Sequence, residues 1–583
     1  MSATASIRPK RFTEWYRLHP VISFCLVSFT YVLLLYSRGL TAGFSAYDDP
    51  NQITQNPSIL SIRQSLTYFR HTVPFTSDLL GLKSSMYRPL YWLSLAIDQR
   101  VWGLHALGFH LTNVLLHWLT GLLLFVLLKK LRMPVFTAAA SVLLWFSLPI
   151  NSEAVVWAAD RAYCLAGFFL LLAGLGAQSY LASSRVLPLI GYLLCFFAAL
   201  LSHEAGILTI PLVLLIACAT PSKTTRSSSV LCFASLLPLI SFVVLRNSLP
   251  DATPLTLGSL WPAGLYFAKY VSWIFLPIHM SVERSSSTPA AGFSLAALIA
   301  WLVLIGFGWA AVALRRKAPA ISAGVAWLIC ALLPFCGFTV IYQGMAERFA
   351  YFASAGAAIL VATVVAMAYS NMQRSVDTQR TLRKVLLACV AIWTLWGVMR
   401  LWHRENDWHD SIALYRNSLL ATPKSAKLYH NLGDVYLSRG DLEGARASYS
   451  KGLDLSPTDA GLAINLGVTL DRKGDALGAE QAFIRAIHID PQQDAAYCDL
   501  GVLMFQHDQA DKAALLFVKA IKLNPEDPTP LYDLAAVYKA NGRKDLAIQL
   551  YHKVLEMQPG DEAATADLHE LESEPGAAIA PSR

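Results

Sequence analysis

The first 405 residues repeat one pattern, an apolar run followed by a short polar break that often carries lysine or arginine. Each run is near the ~20 residues that an α-helix needs to cross a bilayer core. The runs fall at 19–37, 107–128, 134–150, 162–182, 186–202, 205–220, 229–246, 292–314, 318–339, 349–369 and 385–402. Lipid offers no partner to an unpaired backbone N–H or C=O, so such runs are expected to be helices. Of the 583 residues, 55% are hydrophobic and 15% charged, against about 25% charged in soluble domains. The net charge of +8 does not indicate nucleic acid. Its lysines and arginines lie in short clusters between apolar runs, where they set membrane orientation.

Residues 8–17, Lys129-Lys130-Arg132, Arg185, Lys223 with Arg226, Arg315-Arg316-Lys317 and Arg374 through Lys384 are therefore expected on the cytoplasmic side. The first run has no clean small-residue cleavage site behind it and reads as a retained anchor. A further stretch, 262–280, holds Lys269 at its middle and prolines near both ends. If it crossed, Arg315-Arg316-Lys317 would be translocated, so we expect it to enter and leave on the outer side. Eight of nine cysteines lie in apolar runs and no CxxC occurs. Neither a zinc site nor a disulfide framework is supported.

The period changes after residue 405. Pro423, Pro457, Pro491, Pro525 and Pro559 are 34 residues apart. Tyr429-Leu432-Gly433-Tyr436 recurs as Ala463-Leu466-Gly467, Tyr497-Leu500-Gly501 and Leu531-Leu534-Ala535-Tyr538. Partner positions carry Ala445/Tyr449, Ala479/Phe483, Ala513/Phe517 and Ala547/Tyr551. This is the tetratricopeptide (TPR) pattern, with small residues where two helices approach and large ones filling the gaps. We expect four full units, a partial one over 408–423 and a capping helix over 560–574. The fold class is all-α: a polytopic membrane domain over 1–405, with eleven crossings and a re-entrant segment. A TPR solenoid over 406–574 and a disordered tail over 575–583 follow.

Four segments assigned to the outer side carry ionisable residues at the edge of apolar runs. The first holds Asp48 and Asp49, then Tyr87 and Arg88. The second holds Glu153, Asp160 and Arg161, the third His203 and Glu204, and the fourth Tyr342, Glu347 and Arg348. Charge there is costly unless it is paired or functional. Structural readings stand beside functional ones. Asp48-Asp49 suits a turn, Glu153 or Asp160 could pair locally with Arg161, Glu347 could neutralise its neighbour Arg348, and His203-Glu204 could be interfacial packing. His105, His110 and His117 lack partner carboxylates for a metal. Gly306-x-Gly308-x-x-Ala311 lies inside an apolar run, without the strand–turn–helix context of a dinucleotide fingerprint.

Nucleotide-activated donors are not supplied outside the cytoplasm, so group transfer there calls for a membrane-borne donor. A polyprenyl-phosphate sugar fits, with its lipid in the apolar layer and its phosphate at the interface. Transfer needs a carboxylate to take the acceptor's proton and cations for the departing phosphate, for which arginine forks suit best. Adjacent Asp48 and Asp49 repel each other unless arginine or metal is near. No motif calls for a cofactor, and a divalent metal is compatible.

Nearly the whole chain resembles the transmembrane and TPR-containing protein O-mannosyltransferases, membrane glycosyltransferases of the GT-C class, in a bacterial-type form. The resemblance rests on "YDDPNQITQNPSI", "YRPLYWLSLAID", "PINSEAVVWAADRAYCLAG", "SHEAG", "AERFAYFASAG" and the TPR array, in that order. It implies that Asp48 and Asp49 act in catalysis. Tyr87, Arg88, Glu153, Asp160, Arg161, His203, Glu204, Glu347 and Arg348 are then the expected contacts to the donor and its phosphate. It also implies a polyprenyl-phosphate sugar donor, a mannose-like sugar, and a protein acceptor or partner recruited by TPRs on the active-site side, in a bacterial inner membrane rather than the endoplasmic reticulum. His203-Glu204 stands where the family commonly has Lys-Glu. The alternative is a membrane-anchored TPR scaffold without activity, which needs no charge at four membrane edges.

Overall fold

The computed structural model describes residues 20–77, 82–220, 225–250, 252, 258–284, 289, 292–338, 344–372 and 377–573. The expected tail 575–583, the basic residues 8–17, Lys223, Tyr342 and Arg374 lie outside them. The described chain is α-helical apart from one antiparallel hairpin, Val73–Ser77 with Leu82–Met86. It divides into two compact units, Met1–Pro423 and Lys424–Arg583.

In the first unit, six helices among the described residues are long and apolar enough to cross a membrane. Val135–Phe146 and Pro149–Val156 make a seventh if that pair, bent by 58°, is one span. The expectation of eleven full-length crossings is therefore not met. Four further apolar helices, Pro20–Leu35, Val186–Ser202, Glu204–Ala219 and Pro319–Phe335, are shorter. Local breaks shorten them. His203, between two of them, is extended at φ −162° and ψ 144°. The stretch expected to be re-entrant forms helix Ala263–Phe275. Its 13 residues span about 20 Å, less than the ~30 Å hydrocarbon core.

Side-chain pattern explains how the bundle packs. Helix Ala106–Lys130 buries His110, Asn113, His117 and Thr120, spaced three and four apart on one face. These polar groups turn into protein, where partners exist, rather than toward lipid. Helix Arg161–Ser183 answers with small residues, burying Ala166, Gly167, Ala173, Gly174 and Ala177, which let helices approach closely. A Cβ on Gly167 would stand 3.3 Å from both Thr120 and Tyr351. Residues 147–164 are buried throughout. Irregular backbone is tolerable at membrane depth only inside protein, and here it carries Glu153 and Asp160. The "SHEAG" turn is equally close-packed: a Cβ on Gly206 would lie 2.5 Å from the Ala199 carbonyl carbon.

The second unit is built from the helix pairs Ala426–Ser438 with Leu442–Leu455, Ala460–Arg472 with Ala476–Ile489, Asp494–Gln506 with Ala510–Leu523, and Thr529–Ala540 with Lys544–Met557. The expected small-against-large contacts are present. Cβ atoms on Gly433, Gly467 and Gly501 would meet the rings of Tyr449, Phe483 and Phe517 at 2.4, 2.5 and 2.7 Å. Asp441, Asp459 and Asp475 cap helix N-termini by accepting a main-chain N–H three residues on. Helix Glu562–Ser573 closes the array, burying Ala564, Leu568 and Leu571 against Leu531 and Tyr551.

Candidate functional site

The four charged segments, far apart in sequence, meet in the first unit. Asp49 links the first two. Its Oδ2 accepts the Ser45 N–H at 2.7 Å and its Oδ1 accepts the Ala159 N–H at 3.0 Å. Tyr91 adds a second tie, donating to Gln52 and at 2.7 Å to the Ala159 carbonyl. Asp49 is buried, whereas Asp48 is partly exposed. Burial pushes the Asp49 carboxyl from the ordinary 3.8 up to about 7, against the pull of its N–H donors. Tyr47 lies with its ring 5.2 Å from that of Trp157. Burial and then the Asp48 charge raise its hydroxyl pKa.

Arg348 joins the second segment to the fourth. Its guanidinium pairs with Glu153 Oε1, its main-chain N–H donates to Glu153 Oε2 at 2.9 Å, and its Nε lies 3.8 Å from Asp160 Oδ1. Arg88 Nε donates to Glu204 Oε2 at 2.8 Å, bringing the first segment to the third. His203 is buried with its ring 4.2 Å from that of Tyr163, and its Nδ1 accepts the Ala205 N–H at 2.9 Å. Burial, then Arg88 and Arg348, hold its pKa below the ordinary range, so the imidazole is neutral. Tyr87 is buried, its hydroxyl donating to the Phe69 carbonyl at 3.2 Å.

The local ion pairs considered from the sequence do not form. Arg161 turns away from Glu153 and Asp160 into a separate knot. It pairs with Asp98, donates to Asn113 Oδ1 at 2.7 Å, and reaches the carbonyls of Ser94 and Phe109 at 3.1 Å. Glu347 pairs not with its neighbour Arg348 but with Arg284, and takes the Ser281 N–H at 2.6 Å. In the 3₁₀ turn Glu347–Ala350 consecutive side chains point in different directions, so neighbours find different partners.

Ser281 through Arg284 were not singled out in the sequence, nor were Asp98, Arg404 or Trp408. Glu283 and Arg284 follow the re-entrant helix and are buried. Ser281 Oγ lies 3.1 Å from Thr422 Oγ1. Trp157 stacks on Trp408 at 6.0 Å and carries the Arg348 guanidinium 5.4 Å from its ring centre. Asp160 Oδ2, Glu347 Oε2 and His203 Nε2 are buried without a hydrogen-bond partner, which leaves polar capacity facing inward. Among the described residues, no group of three or more His, Cys, Asp or Glu is placed to hold a metal ion.

An apolar cavity of about 570 Å³ adjoins this cluster. Its wall includes Trp145, Tyr351 and Phe352 near the charged residues, and Arg132, Pro319 and Ser370 at the far end. Since Tyr351 and Ser370 belong to one helix, Tyr351–Met372, the cavity extends about 28 Å along it.

Multiple apolar helices of membrane length, a buried charged cluster and a helix-pair array define an integral membrane protein with a TPR region. Residues 433–474 match a TPR repeat family and 504–570 a tetratricopeptide repeat family. The chain is 23% identical over 423 residues to a protein O-mannosyl-transferase of Caenorhabditis elegans, covering 68% of this chain and 58% of the relative. It is 23% identical over 465 residues to the human protein O-mannosyl-transferase TMTC3, covering 71% of this chain and 49% of the relative. The chain thus spans about half the length of these relatives. Among solved structures, the MamA protein is 25% identical and covers 30% of this chain and 91% of its own, with a TM-score of 0.24.

Proposed function

We propose that this chain is a membrane glycosyltransferase that moves a mannose-like sugar from a polyprenyl-phosphate donor to an extracytoplasmic acceptor, a protein hydroxyl. The observation that carries the reading is the meeting of four separated charged segments around the Asp48–Asp49 turn, at the head of an apolar cavity. The similarity to protein O-mannosyl-transferases supports it.

Asp48 is the better base of the pair. Both Asp49 oxygens accept main-chain N–H groups, so Asp49 positions the loop while Asp48 is open to the acceptor. Asp48 takes the hydroxyl proton as the acceptor oxygen attacks the anomeric carbon. The bond from that carbon to the phosphate oxygen breaks, and its electron pair leaves with the polyprenyl phosphate. Arg88 and Arg348 bring positive charge to the departing phosphate, held by Glu204 and Glu153. Arg161 acts from its knot with Asp98 as a positioning residue. The cavity takes the isoprenoid chain, and the TPR region recruits the acceptor or a partner protein.

The test is transfer of labelled sugar from polyprenyl phosphate by the full chain in reconstituted membranes. Turnover that survives both Asp48→Asn and Asp49→Asn would overturn the acid–base assignment.

A further inference from the structure

Every arginine discussed so far is matched to a carboxylate: Arg88 to Glu204, Arg161 to Asp98, Arg284 to Glu347, and Arg348 to Glu153. Arg404 differs. It is 2% exposed, and its Nη1 donates to Asp407 Oδ2 at 3.1 Å. Its Nε and Nη2 are buried without an acceptor, which holds for no other arginine among the described residues. Asp407 cannot serve them further, because its other oxygen accepts Asn417 Nδ2 at 2.6 Å. The neighbouring Glu405 turns to Gly39, whose N–H it accepts at 2.8 Å.

The unfilled donors continue into the aromatic groups beside Arg404. Its guanidinium lies 5.8 Å from the Trp408 ring centre, and Trp408 stacks on Trp157. Nε1 of both tryptophans is buried and unpartnered. Arginine and tryptophan side chains donate and cannot accept, so these groups cannot satisfy one another. What the block lacks is an acceptor. A planar guanidinium fork favours an oxyanion that takes two parallel N–H bonds. The block borders the charged cluster, since Trp157 also carries Arg348 and Glu153 lies within the field of Arg404.

We propose that Arg404, with the indole N–H groups of Trp408 and Trp157, binds a phosphate oxyanion, that of the polyprenyl-phosphate donor or product. The oxyanion site rests on the unfilled donors, and its assignment to the lipid rests on the transferase reading. Arg404 therefore joins Arg88 and Arg348 around the phosphate, and is the one whose N–H groups are not already held by protein.

The experiment measures binding of polyprenyl phosphate and, separately, of inorganic phosphate to the full-length protein in neutral nanodiscs. Wild type is compared with Arg404→Lys and with Trp408→Phe, which keeps the ring and the guanidinium but removes one N–H. Arg404→Lys should weaken polyprenyl-phosphate binding about tenfold or more, and Trp408→Phe should weaken it by a smaller factor at an unchanged melting temperature. Binding unchanged in both variants would overturn the proposal. Arg404-dependent binding of inorganic phosphate, with none of the lipid, would keep the oxyanion site and overturn its lipid assignment. Arg404-dependent binding of the lipid without sugar transfer from any donor would keep the site and sink the transferase. Transfer with an unchanged donor KM in Arg404→Lys would do the reverse.

Discussion

The main-chain N–H of Ala159 donates to Asp49 Oδ1 across 110 positions of sequence. Its partner on the other oxygen, the Ser45 N–H, is only four residues away. One carboxylate thus fixes both the shape of its own loop and that loop's seat on the second charged segment, leaving the adjacent Asp48 held out from the same turn.

This division of labour separates the two aspartates experimentally. Asp48→Asn should lower kcat by about 10²–10⁴-fold, the usual worth of a general base, with the melting temperature unchanged. Asp49→Asn should lower stability by about 1–3 kcal/mol, because an amide offers one oxygen where two N–H donors wait. Sugar-transfer kinetics and detergent-phase melting, run side by side on both variants, check this.

Asp49 also predicts a pH dependence. Its folded carboxyl titrates at about 7 rather than 3.8, so between these values the folded state holds a proton that the unfolded state has lost. The contribution of Asp49 to stability is fully present below pH 4, falls as pH rises toward 7, and is flat above. The slope from this one group reaches about 1.4 kcal/mol per pH unit. Melting curves at half-unit steps should show that slope reduced in Asp49→Asn.

The Arg161 knot is structural, and its failure should appear in stability first. Asp98→Ala leaves a buried guanidinium without its carboxylate, a loss of about 3–5 kcal/mol. Burial raises the Asp98 pKa and Arg161 opposes that rise. Denaturant unfolding of the full chain measures the loss. Wild-type stability in the variant would show that Arg161 does not depend on this partner.

The cavity makes a prediction about chain length. Ala323 lines it, and Ala323→Trp fills part of its length. Donor KM should rise for long polyprenyl chains and stay unchanged for a short one whose tail does not reach Ala323. An equal rise for both chain lengths would place the lipid elsewhere.

Much of the architecture was legible because it rests on period and length. Prolines 34 residues apart and the alternation of Gly467 with Phe483 encode helix pairs locally, since each repeat packs on its neighbours. The four charged edges stood out because charge beside an apolar run is costly. Pairing was not legible, because it is decided across the bundle: Glu153 meets Arg348 195 positions away, and Arg161 meets Asp98 63 positions away. Ser281–Arg284 is embedded in a polar run, and Arg404 sits at the end of an apolar helix where a basic residue looks like an ordinary boundary. The short helices around His203 defeat a count based on length.

The exchange of partners among these arginines and acids also bears on how the chain is made. Glu347 and Arg348 enter as neighbours yet neutralise Arg284 and Glu153, so each segment arrives with its charge unbalanced. Balance comes only when distant segments have met in the right order. Synthesis of this protein therefore passes through inserted intermediates carrying exposed, uncompensated charge in an apolar layer, and the finished bundle removes that mark from all of them together. A chain arrested with one segment misplaced keeps the mark, which gives membrane quality control a physical signal to recognise.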